Sequence, residues 1–158
     1  MAKIPITVTG AEQLKRELHR LKTIERPSAI KAIAEARSHG DLSENAEYDA
    51  AKDRQSFIEG RIAAVETKLA NAQIIDPKLL DGDGRCMFAS TVELQDASTG
   101  ERLTYQIVGE DEADIKQGKI SISSPVARAL IGKFAGDTAL VEAPGGSREF
   151  EIVDIRYD

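Results

Sequence analysis

The feature that most constrains the fold is a pair of long helical patterns separated by a break of only a few residues. The apolar residues of the first pattern, at helical spacing, are Leu14, Leu18, Leu21, Ile24, Ile30, Ile33 and Ala34. Those of the second are Ala51, Ile58, Ile62, Val65, Leu69 and Ala72. From Ile58 onward the steps alternate between 4 and 3, which is typical of a coiled-coil seam. Helices joined by so short a loop must be antiparallel neighbours, so residues 1–75 are predicted to form a helical coiled-coil hairpin.

Local signals predict where these helices begin, bend and end. Thr9 is a good N-cap, and Glu12 three residues later has the spacing of a capping box. Pro27 removes a backbone donor and predicts a kink or a short break. Gly40 is a natural terminator for the first helix, and the second is predicted to begin within residues 41–44.

The predicted hairpin is long for the core that it can bury. Helices of roughly 28–30 residues, at ~1.5 Å per residue, give a hairpin of roughly 40–45 Å. A two-helix hairpin has little core per residue, so such a length suits a segment that must reach something. The alternative is an ordinary bundle completed by a third helix, but no third long helical pattern is visible in the sequence.

Residues 76–158 change character and read as a second, small domain of α+β class. Strand patterns cover residues 91–95, 102–108, 138–142 and 150–155, with turn-forming residues between them. Ser124-Pro125 has the residue types of an N-cap followed by a first helical position, and a short apolar helix follows. We therefore predict a small antiparallel β-sheet with at least one packed helix.

Charge and composition exclude several classes of function. Residues 1–75 carry 12 Lys/Arg and 11 Asp/Glu, whereas residues 76–158 carry 9 and 16. An acidic second half disfavours a free nucleic-acid-binding module, which needs clustered cations. No apolar run approaches the ~20 residues that span a membrane, so no membrane partner is expected. Cys86 is the only cysteine, which excludes an intrachain disulfide and favours a cytosolic location.

The sequence contains no catalytic or metal-binding motif of a usual kind. Its most unusual segment is residues 40–49, at the predicted hairpin tip, where four acids occur without a base: Asp41, Glu44, Glu47 and Asp49. These acids fit helix capping and the helix dipole. They also fit a Mg²⁺ site, because carboxylate oxygens suit this ion, although two exposed carboxylates bind it weakly unless a partner completes the site.

Basic residues follow the shaft next to this tip. Arg37 lies on the first predicted helix, and Lys52 and Arg54 lie on the second. They fit ordinary solvated charge, and they equally fit contacts with the phosphates of a nucleic acid chain.

The run from Ala34 to Tyr48 resembles the hairpin tip of the bacterial Gre transcript cleavage factors. The resemblance covers nearly the whole chain and is carried as well by residues 6–10, 25–27, 58–62, 123–133 and 144–146. The likeness is greater to the GreA branch than to the GreB branch, because residues 1–75 are nearly neutral and lack an extended basic patch.

The resemblance implies an FKBP-like second domain that docks at the mouth of the secondary channel of bacterial RNA polymerase. The hairpin would enter this channel and stimulate the polymerase's own cleavage of backtracked RNA 3′ ends, so the chain would not be an enzyme alone. Asp41 and Glu44 would be the catalytic tip acids and would help hold a Mg²⁺ shared with the polymerase active site, the chain having no cofactor of its own.

The resemblance also implies roles for residues around the tip and in the second domain. Arg37 and Lys52 would lie near the nascent RNA 3′ end. The residues that would support the tip are Leu42, Ser43, Asn45, Glu47 and Tyr48. Those that would dock on polymerase are Ser123, Ser124, Pro125 and Arg128.

Two alternative functions are open at this stage. The first is an inhibitor of RNA polymerase on the same scaffold, which would have altered tip acids, whereas Asp41 and Glu44 are both present. The second is a peptidyl-prolyl isomerase, since the implied second domain is FKBP-like. Such enzymes need an aromatic-lined pocket, and aromatic residues make up only 4% of this chain.

Overall fold

The structure is a computed structural model that describes residues 3–38 and 46–158. The chain divides into two compact units, the first made of residues 11–72 and the second of residues 3–10 together with 73–158. The domain boundary between residues 75 and 76 stays a prediction. Among the described residues, no helix is both long enough and apolar enough to cross a membrane.

The structure confirms the predicted helical hairpin, which consists of consecutive helical segments. Helix α1 spans Val8–Arg20, a π-helical segment spans Leu21–Glu25, and helix α2 spans Arg26–Arg37. The return helix, α3, spans Ala46–Ala70 and packs against α2. The predicted start of the second helix within residues 41–44 lies outside the described residues.

Helix α1 begins earlier than the sequence predicts, so the assignment of Thr9 as N-cap is wrong. The helix starts at Val8, and the Gly10 N–H donates to Thr7 Oγ1 at 3.1 Å. Thr7 is therefore the capping residue. The acid of a capping box is supplied from elsewhere in the second unit, because the Glu112 carboxylate accepts the Thr7 N–H at 3.0 Å and also bonds the Thr7 hydroxyl.

The predicted break at Pro27 is instead a local change of helix type. The backbone stays helical, but the Arg26 N–H donates to the Leu21 carbonyl, five residues earlier. A π-helical turn holds one residue more than an α-helical turn. Pro27 follows directly, with no N–H to donate and with a ring that clashes with the carbonyl of the preceding α-helical turn. The widened turn relieves that clash without ending the helix.

The extra residue of the π-helical segment shifts the buried seam. After Ala11, the buried residues of α1, the π-helical segment and α2 are Leu14, Leu21, Ala29 and Ala36. Their steps are 7, 8 and 7, so the heptad advances by one residue across the segment. The sequence pattern placed Ile24, Ile30 and Ala34 in the seam, but all three are exposed, Ile24 at 58% and Ile30 at 51%.

Helix α3 follows its predicted pattern more closely. Ala51, Ile58, Ile62 and Val65 are buried, whereas Leu69 is half-buried and Ala72 already belongs to a strand. Leu21, Ala29, Ile58 and Ile62 form one apolar cluster, against which Leu18 packs. The seam of the hairpin is therefore a single narrow row of mostly small or medium side chains.

The second unit contains two sheets. Strand β1 (Ile4–Thr7) pairs with β2 (Ala72–Ile75). The strands of the larger sheet, in chain order, are β3 (Thr91–Asp96), β4 (Arg102–Val108), β5 (Lys119–Ser121), β6 (Thr138–Ala143) and β7 (Gly146–Arg156). Their spatial order is β5-β4-β3-β7-β6.

This larger sheet confirms the α+β class and adds one element that the sequence did not indicate. Its pairs are antiparallel except that β5 runs parallel to β4. β5 has only three residues, too few to show a strand periodicity. Helix α4 (Pro125–Leu130) contacts β6 and β5.

The core of the second unit lies between this sheet and α4. Its fully buried side chains include Val92, Leu94, Ile107, Leu130 and Ile152. Two aromatic rings, those of Phe88 and Phe150, are buried with them. The core is thus mainly aliphatic, as the scarcity of aromatic residues requires.

Candidate functional site

The predicted catalytic tip lies outside the part of the chain that the structure describes. This applies to Asp41, Leu42, Ser43, Glu44 and Asn45. The structure does describe the two helix ends that carry this segment: α2 ends at Arg37, and α3 is described from Ala46. The roles predicted for the five residues stay predictions.

Alanines form the seam in this end of the hairpin. Ala29, Ala36 and Ala51 are all buried, with exposed fractions of 0%, 3% and 8%. Small side chains allow two helix backbones to approach closely. Larger apolar residues beside this seam are consequently left at the surface, and Ile30 is half exposed.

A groove runs along the surface of the hairpin between α2 and α3, next to the alanine seam. Its volume is about 260 Å³, and it is lined by Ile30, Ile33, Arg37, Tyr48, Lys52 and Gln55. Tyr48 and Lys52 are one helical turn apart on α3, and Lys52 Nζ lies 5.3 Å from the centre of the Tyr48 ring. A cation at this distance is attracted to the ring face. Two predicted RNA-proximal residues, Arg37 and Lys52, and one predicted tip-support residue, Tyr48, therefore line the same groove.

The described residues that line this groove carry charge of one sign. Arg37 and Lys52 supply two cations, and none of the other described lining residues carries a carboxylate. Within residues 3–38 and 46–158, neither cation forms an ion pair. Arg54, the third predicted cation, differs because it bonds the Glu25 carboxylate at 3.2 Å. Glu47 is exposed on α3 and does not line the groove.

The predicted docking residues of the second unit meet at the start of α4. Ser124 is the N-cap, and its Oγ accepts the Ala127 N–H at 3.2 Å, while Pro125 is the first helical residue. The Ser123 hydroxyl donates to Glu110 Oε1 at 2.8 Å. Ser124 and Pro125 thus initiate the helix, whatever else they contact.

Arg128 differs from the serines of this segment. It lies on the exposed side of α4, while the neighbouring Ala127 is fully buried. Its side chain forms no ion pair with a described residue. Among the predicted docking residues it is therefore the one whose side chain has no evident local structural role.

One buried acid of the second unit was not indicated by the sequence. Asp96 is 4% exposed and accepts hydrogen bonds from Arg148, Ser98 and Thr99. The Arg148 guanidinium, at 2.7 Å, is the main cause that lowers the pKa of the Asp96 carboxyl, and the backbone donors lower it further. Arg148 also stacks over the Phe150 ring at 4.9 Å. This arrangement closes one side of the core.

The aromatic residues of the second unit are divided between its core and its surface. Phe88 and Phe150 are buried in the core, Tyr105 packs against that core, and Phe134 is 46% exposed. The Tyr157 hydroxyl donates to the Arg85 carbonyl. Phe88, Phe150 and Tyr105 therefore serve core packing, which does not favour an isomerase pocket.

The groove walls are the feature that sequence reasoning missed. Ile30 and Ile33 were assigned to the buried seam, and the π-helical segment moves them out of it. The spacing of Tyr48 and Lys52, four residues apart on one helix, was a usable signal, because such residues are neighbours on a helix surface.

The described residues thus form a narrow-seamed helical hairpin and a small α+β unit whose sheet contacts a helix. Two comparisons with known families extend over nearly all of the chain. Residues 4–74 match the family described as "Transcription elongation factor, N-terminal", and residues 81–157 match "Transcription elongation factor, GreA/GreB, C-term".

Individual relatives agree over the full length. The chain is 62% identical to the transcription elongation factor GreA of Alkalilimnicola ehrlichii and 65% identical to that of Verminephrobacter eiseniae, with 99% of each chain covered. The chain is also similar to the solved structure of GreA factor homolog 1 of Thermus thermophilus, at 34% identity and a TM-score of 0.43. This match covers 98% of the present chain and 99% of the Thermus thermophilus chain. That TM-score does not establish a shared fold, so membership follows from the sequence matches. The chain belongs to the GreA/GreB family of bacterial transcription elongation factors and is GreA-like.

Proposed function

We infer that this chain binds bacterial RNA polymerase, inserts its hairpin into the secondary channel, and stimulates the polymerase's own cleavage of backtracked RNA 3′ ends. The chain would thereby rescue arrested complexes, acting in the cytoplasm, where bacterial transcription takes place. It is not the catalyst by itself. Full-length membership of a family of elongation factors is the observation that carries this proposal.

The hairpin supports a role in delivery. Its seam is narrow, and ion pairs connect its antiparallel helices at the surface. Examples are Arg26 with Glu59 and Arg61 with Glu17. Arg61 donates two hydrogen bonds to the Glu17 carboxylate, at 2.5 and 2.6 Å. These bonds join the two helices at the surface without adding bulk, which suits a segment that enters a channel.

The chemistry of the tip rests on Asp41 and Glu44. Both side chains offer carboxylate oxygens, the donors that Mg²⁺ prefers, so their chemistry fits this ion. When bound, Mg²⁺ supplies charge stabilisation to the attacking and departing oxygens of phosphodiester hydrolysis. Two carboxylates are too few to hold Mg²⁺ firmly, so polymerase must supply the rest of the site. The residues of this chain orient the ion and the attacking water.

The second unit supports a role in docking. The exposed Arg128 and the Ser123 hydroxyl lie at the start of α4, on a unit whose core is closed and well packed. A rigid unit can hold these groups in place while the hairpin acts. We assign the polymerase contact to this segment, with Ser124 and Pro125 setting the start of the helix.

The test is RNA cleavage in a stalled, backtracked elongation complex, with and without this protein. Asp41→Ala and Glu44→Ala are each expected to reduce stimulated cleavage by orders of magnitude while polymerase binding is retained. Loss of a helix cap costs only ~0.5–2 kcal/mol, so the fold survives.

Glu35→Ala is the matched control, because Glu35 is an exposed acid of the same hairpin, and its ion pair among the described residues is with Lys31 on its own helix. This variant should cleave like the wild type. Full stimulation by both tip variants would contradict the proposal, and so would a wild-type protein that binds polymerase and blocks cleavage, which is the behaviour of an inhibitor.

A further inference from the structure

We propose that Glu112 is a positioning residue for the stimulated cleavage proposed above, because it holds the start of α1, the helix that leads into the hairpin. The inference deepens the proposed function and rests on it for the reaction. Glu112 acts through Thr7, the residue that caps α1, and takes no part in the chemistry. Thr7, Gly10 and Glu112 all belong to the second unit.

Three donors converge on the Glu112 carboxylate. Its Oε2 accepts the N–H groups of Thr7 and Gly109, each at 3.0 Å, and its Oε1 bonds the Thr7 hydroxyl. Thr7 Oγ1 also accepts the Gly10 N–H at 3.1 Å, inside the first turn of α1. A negative charge beside the N-terminus of a helix is favourable, because the helix dipole is positive there. The first turn of α1 is therefore bonded, through one threonine, to a carboxylate 105 positions further along the chain.

The backbone around this carboxylate leaves no room for further side chains. A Cβ on Gly10 would overlap the Glu112 carboxylate, and a Cβ on Gly109 would lie 2.9 Å from the Pro5 carbonyl oxygen. Thr7 is 3% exposed, so little water can replace the carboxylate if Glu112 is removed. A buried donor that loses its acceptor destabilises the arrangement that buries it. Removing Glu112 should therefore release the start of α1.

The same short segment also bonds a predicted docking residue. Glu112 ends a 3₁₀-helical turn, Glu110–Glu112, that begins directly after Gly109. Glu110 Oε1 accepts the Ser123 hydroxyl at 2.8 Å. The turn is closed by the Glu112 N–H, which donates to the Gly109 carbonyl at 3.0 Å. One closed turn therefore connects the docking segment with the start of α1.

A strand pair joins the two chain segments that flank the hairpin. Strand β1 ends at Thr7 and pairs with β2, which follows α3 in the chain. Glu112 therefore bonds the chain where it leads into the hairpin, at the end of one strand of this pair.

The length of the hairpin makes it sensitive to its base. Helix α3 spans 25 residues and so extends about 37 Å at ~1.5 Å per residue. A rotation of about 3° at one end of such a helix moves the other end by about 2 Å. A misplacement of even ~1 Å at a reacting centre costs about 100-fold in rate. A loose start of α1 should therefore reduce cleavage although no tip residue has changed.

The experiment measures the rate of stimulated cleavage against the concentration of the full-length factor, in a stalled, backtracked complex. Glu112→Ala should lower the maximal rate about 10-fold, because a released helix still occupies the productive position part of the time. The concentration at half-maximal stimulation should stay unchanged, since the docking segment keeps its bond to Glu110. Glu110→Ala should instead raise that concentration, because it releases Ser123.

A double-mutant cycle tests whether Glu112 acts through Thr7. Thr7→Val removes the hydroxyl at nearly constant volume and should lower the maximal rate, whereas Thr7→Ser keeps the hydroxyl and should retain most of the rate. Thr7→Val should cost little more in a Glu112→Ala background, because both changes break the same link. Glu112→Gln keeps an oxygen acceptor without the charge. A loss of about 3-fold is expected for it, since charged acceptors form the stronger hydrogen bonds.

Controls separate this role from a loss of stability. Val141→Ala removes part of a side chain buried in the core of the second unit. At a temperature where circular dichroism shows both variants folded, Val141→Ala should keep the wild-type maximal rate. Hydrogen exchange needs no polymerase, and exchange of the Gly10 N–H should be about 10-fold faster in Glu112→Ala than in Val141→Ala.

Four results would overturn the inference. These are an unchanged maximal rate for Glu112→Ala, an equal loss of rate in Val141→Ala, additive effects in the cycle, and unchanged exchange at Gly10. If Glu112→Ala does not fold, Glu112→Gln decides the same comparisons. A wild type that stimulates no cleavage would contradict the proposed function and this inference with it. A wild type that stimulates cleavage no better than Glu112→Ala would leave the proposed function standing and remove this inference alone.

Discussion

The hairpin and the sheet of the second unit are stabilised in different ways. The sheet surrounds fully buried residues such as Leu94, Ile107 and Ile152, whose side chains contact others on all sides. The hairpin buries a single row, largely alanine toward its tip, with exposed ion pairs beside it. The difference indicates that most of the folding free energy comes from the second unit.

The largest predicted effect tests this difference directly. Leu94→Ala in the sheet should lower the free energy of unfolding by about 3–5 kcal/mol, because the cavity is enclosed by a packed core. Ile62→Ala, equally buried in the hairpin seam, should cost only about 2 kcal/mol, because a seam one residue deep can collapse or admit water. Urea unfolding combined with hydrogen exchange measures each unit separately. Equal costs at the two sites would remove the contrast.

The next effect concerns the π-helical segment. Deleting Ile24 would convert it to α-helix and return the buried steps to a regular heptad, but it would place Pro27 inside a continuous α-helix. The deletion should therefore cost about 3 kcal/mol with Pro27 present and less than about 1 kcal/mol in a Pro27→Ala background. Urea unfolding of the four proteins of this cycle provides the measurement. If the deletion costs the same in both backgrounds, the segment does not exist to accommodate Pro27.

A smaller effect is predicted for Asp96, the buried acid of the second unit. The pKa of Asp96 is lowered in the folded state, so its contribution to stability is present above its ordinary pKa near 4 and is lost as pH falls through that value toward the lowered one. Asp96→Asn should therefore destabilise the protein at neutral pH and flatten the loss of stability below about pH 4. Thermal unfolding across this range, with the exposed Glu101→Gln as control, would show it. An unchanged acid profile would mean that the Arg148 contact contributes nothing.

The smallest effect is predicted for an exposed ion pair of the hairpin. Arg26 bonds the Glu59 carboxylate at 2.7 and 2.8 Å, but both side chains are more than a third exposed. Solvent and salt screen such pairs, so Arg26→Gln should leave the midpoint of thermal unfolding unchanged within error. A clear shift that disappears in high salt would show that these pairs do support the hairpin.

The sequence predicted the fold well wherever a single period holds. The seam from Ile58 to Val65 was read correctly because α3 is an uninterrupted α-helix. In the first half of the hairpin, the buried positions were predicted correctly only as far as Leu21. A search for a fixed period cannot detect the extra residue of the π-helical segment. Ile24 and Ile30 were assigned to the core for that reason.

The candidate site was predicted in part. Arg37 and Lys52 were chosen as cations, and the structure places both in one groove. The apolar wall could not be predicted, since it depends on Ile30 being displaced from the seam. The capping of α1 by Glu112 could not be predicted from the sequence either, because the hydrogen bond between Thr7 and Glu112 joins residues 105 positions apart. The roles of Asp41 and Glu44 rest on family resemblance and stay predictions.

The most direct test of the account is to shorten the hairpin without altering its tip. Deleting Leu14–Arg20 together with Glu59–Val65 removes one heptad from each helix and keeps the π-helical segment. It removes Glu17 with its partner Arg61, and it brings Leu69 to the place of Ile62 in the seam. The tip is withdrawn by ~10 Å, at ~1.5 Å per residue.

The measured quantities are polymerase affinity and the rate of stimulated RNA cleavage, after circular dichroism has confirmed the helical fold. If the hairpin acts by delivering its tip, the shortened protein should bind polymerase and stimulate no cleavage, because a misplacement of even ~1 Å at a reacting centre costs about 100-fold in rate. Cleavage at the wild-type rate by the folded, shortened protein would contradict the account.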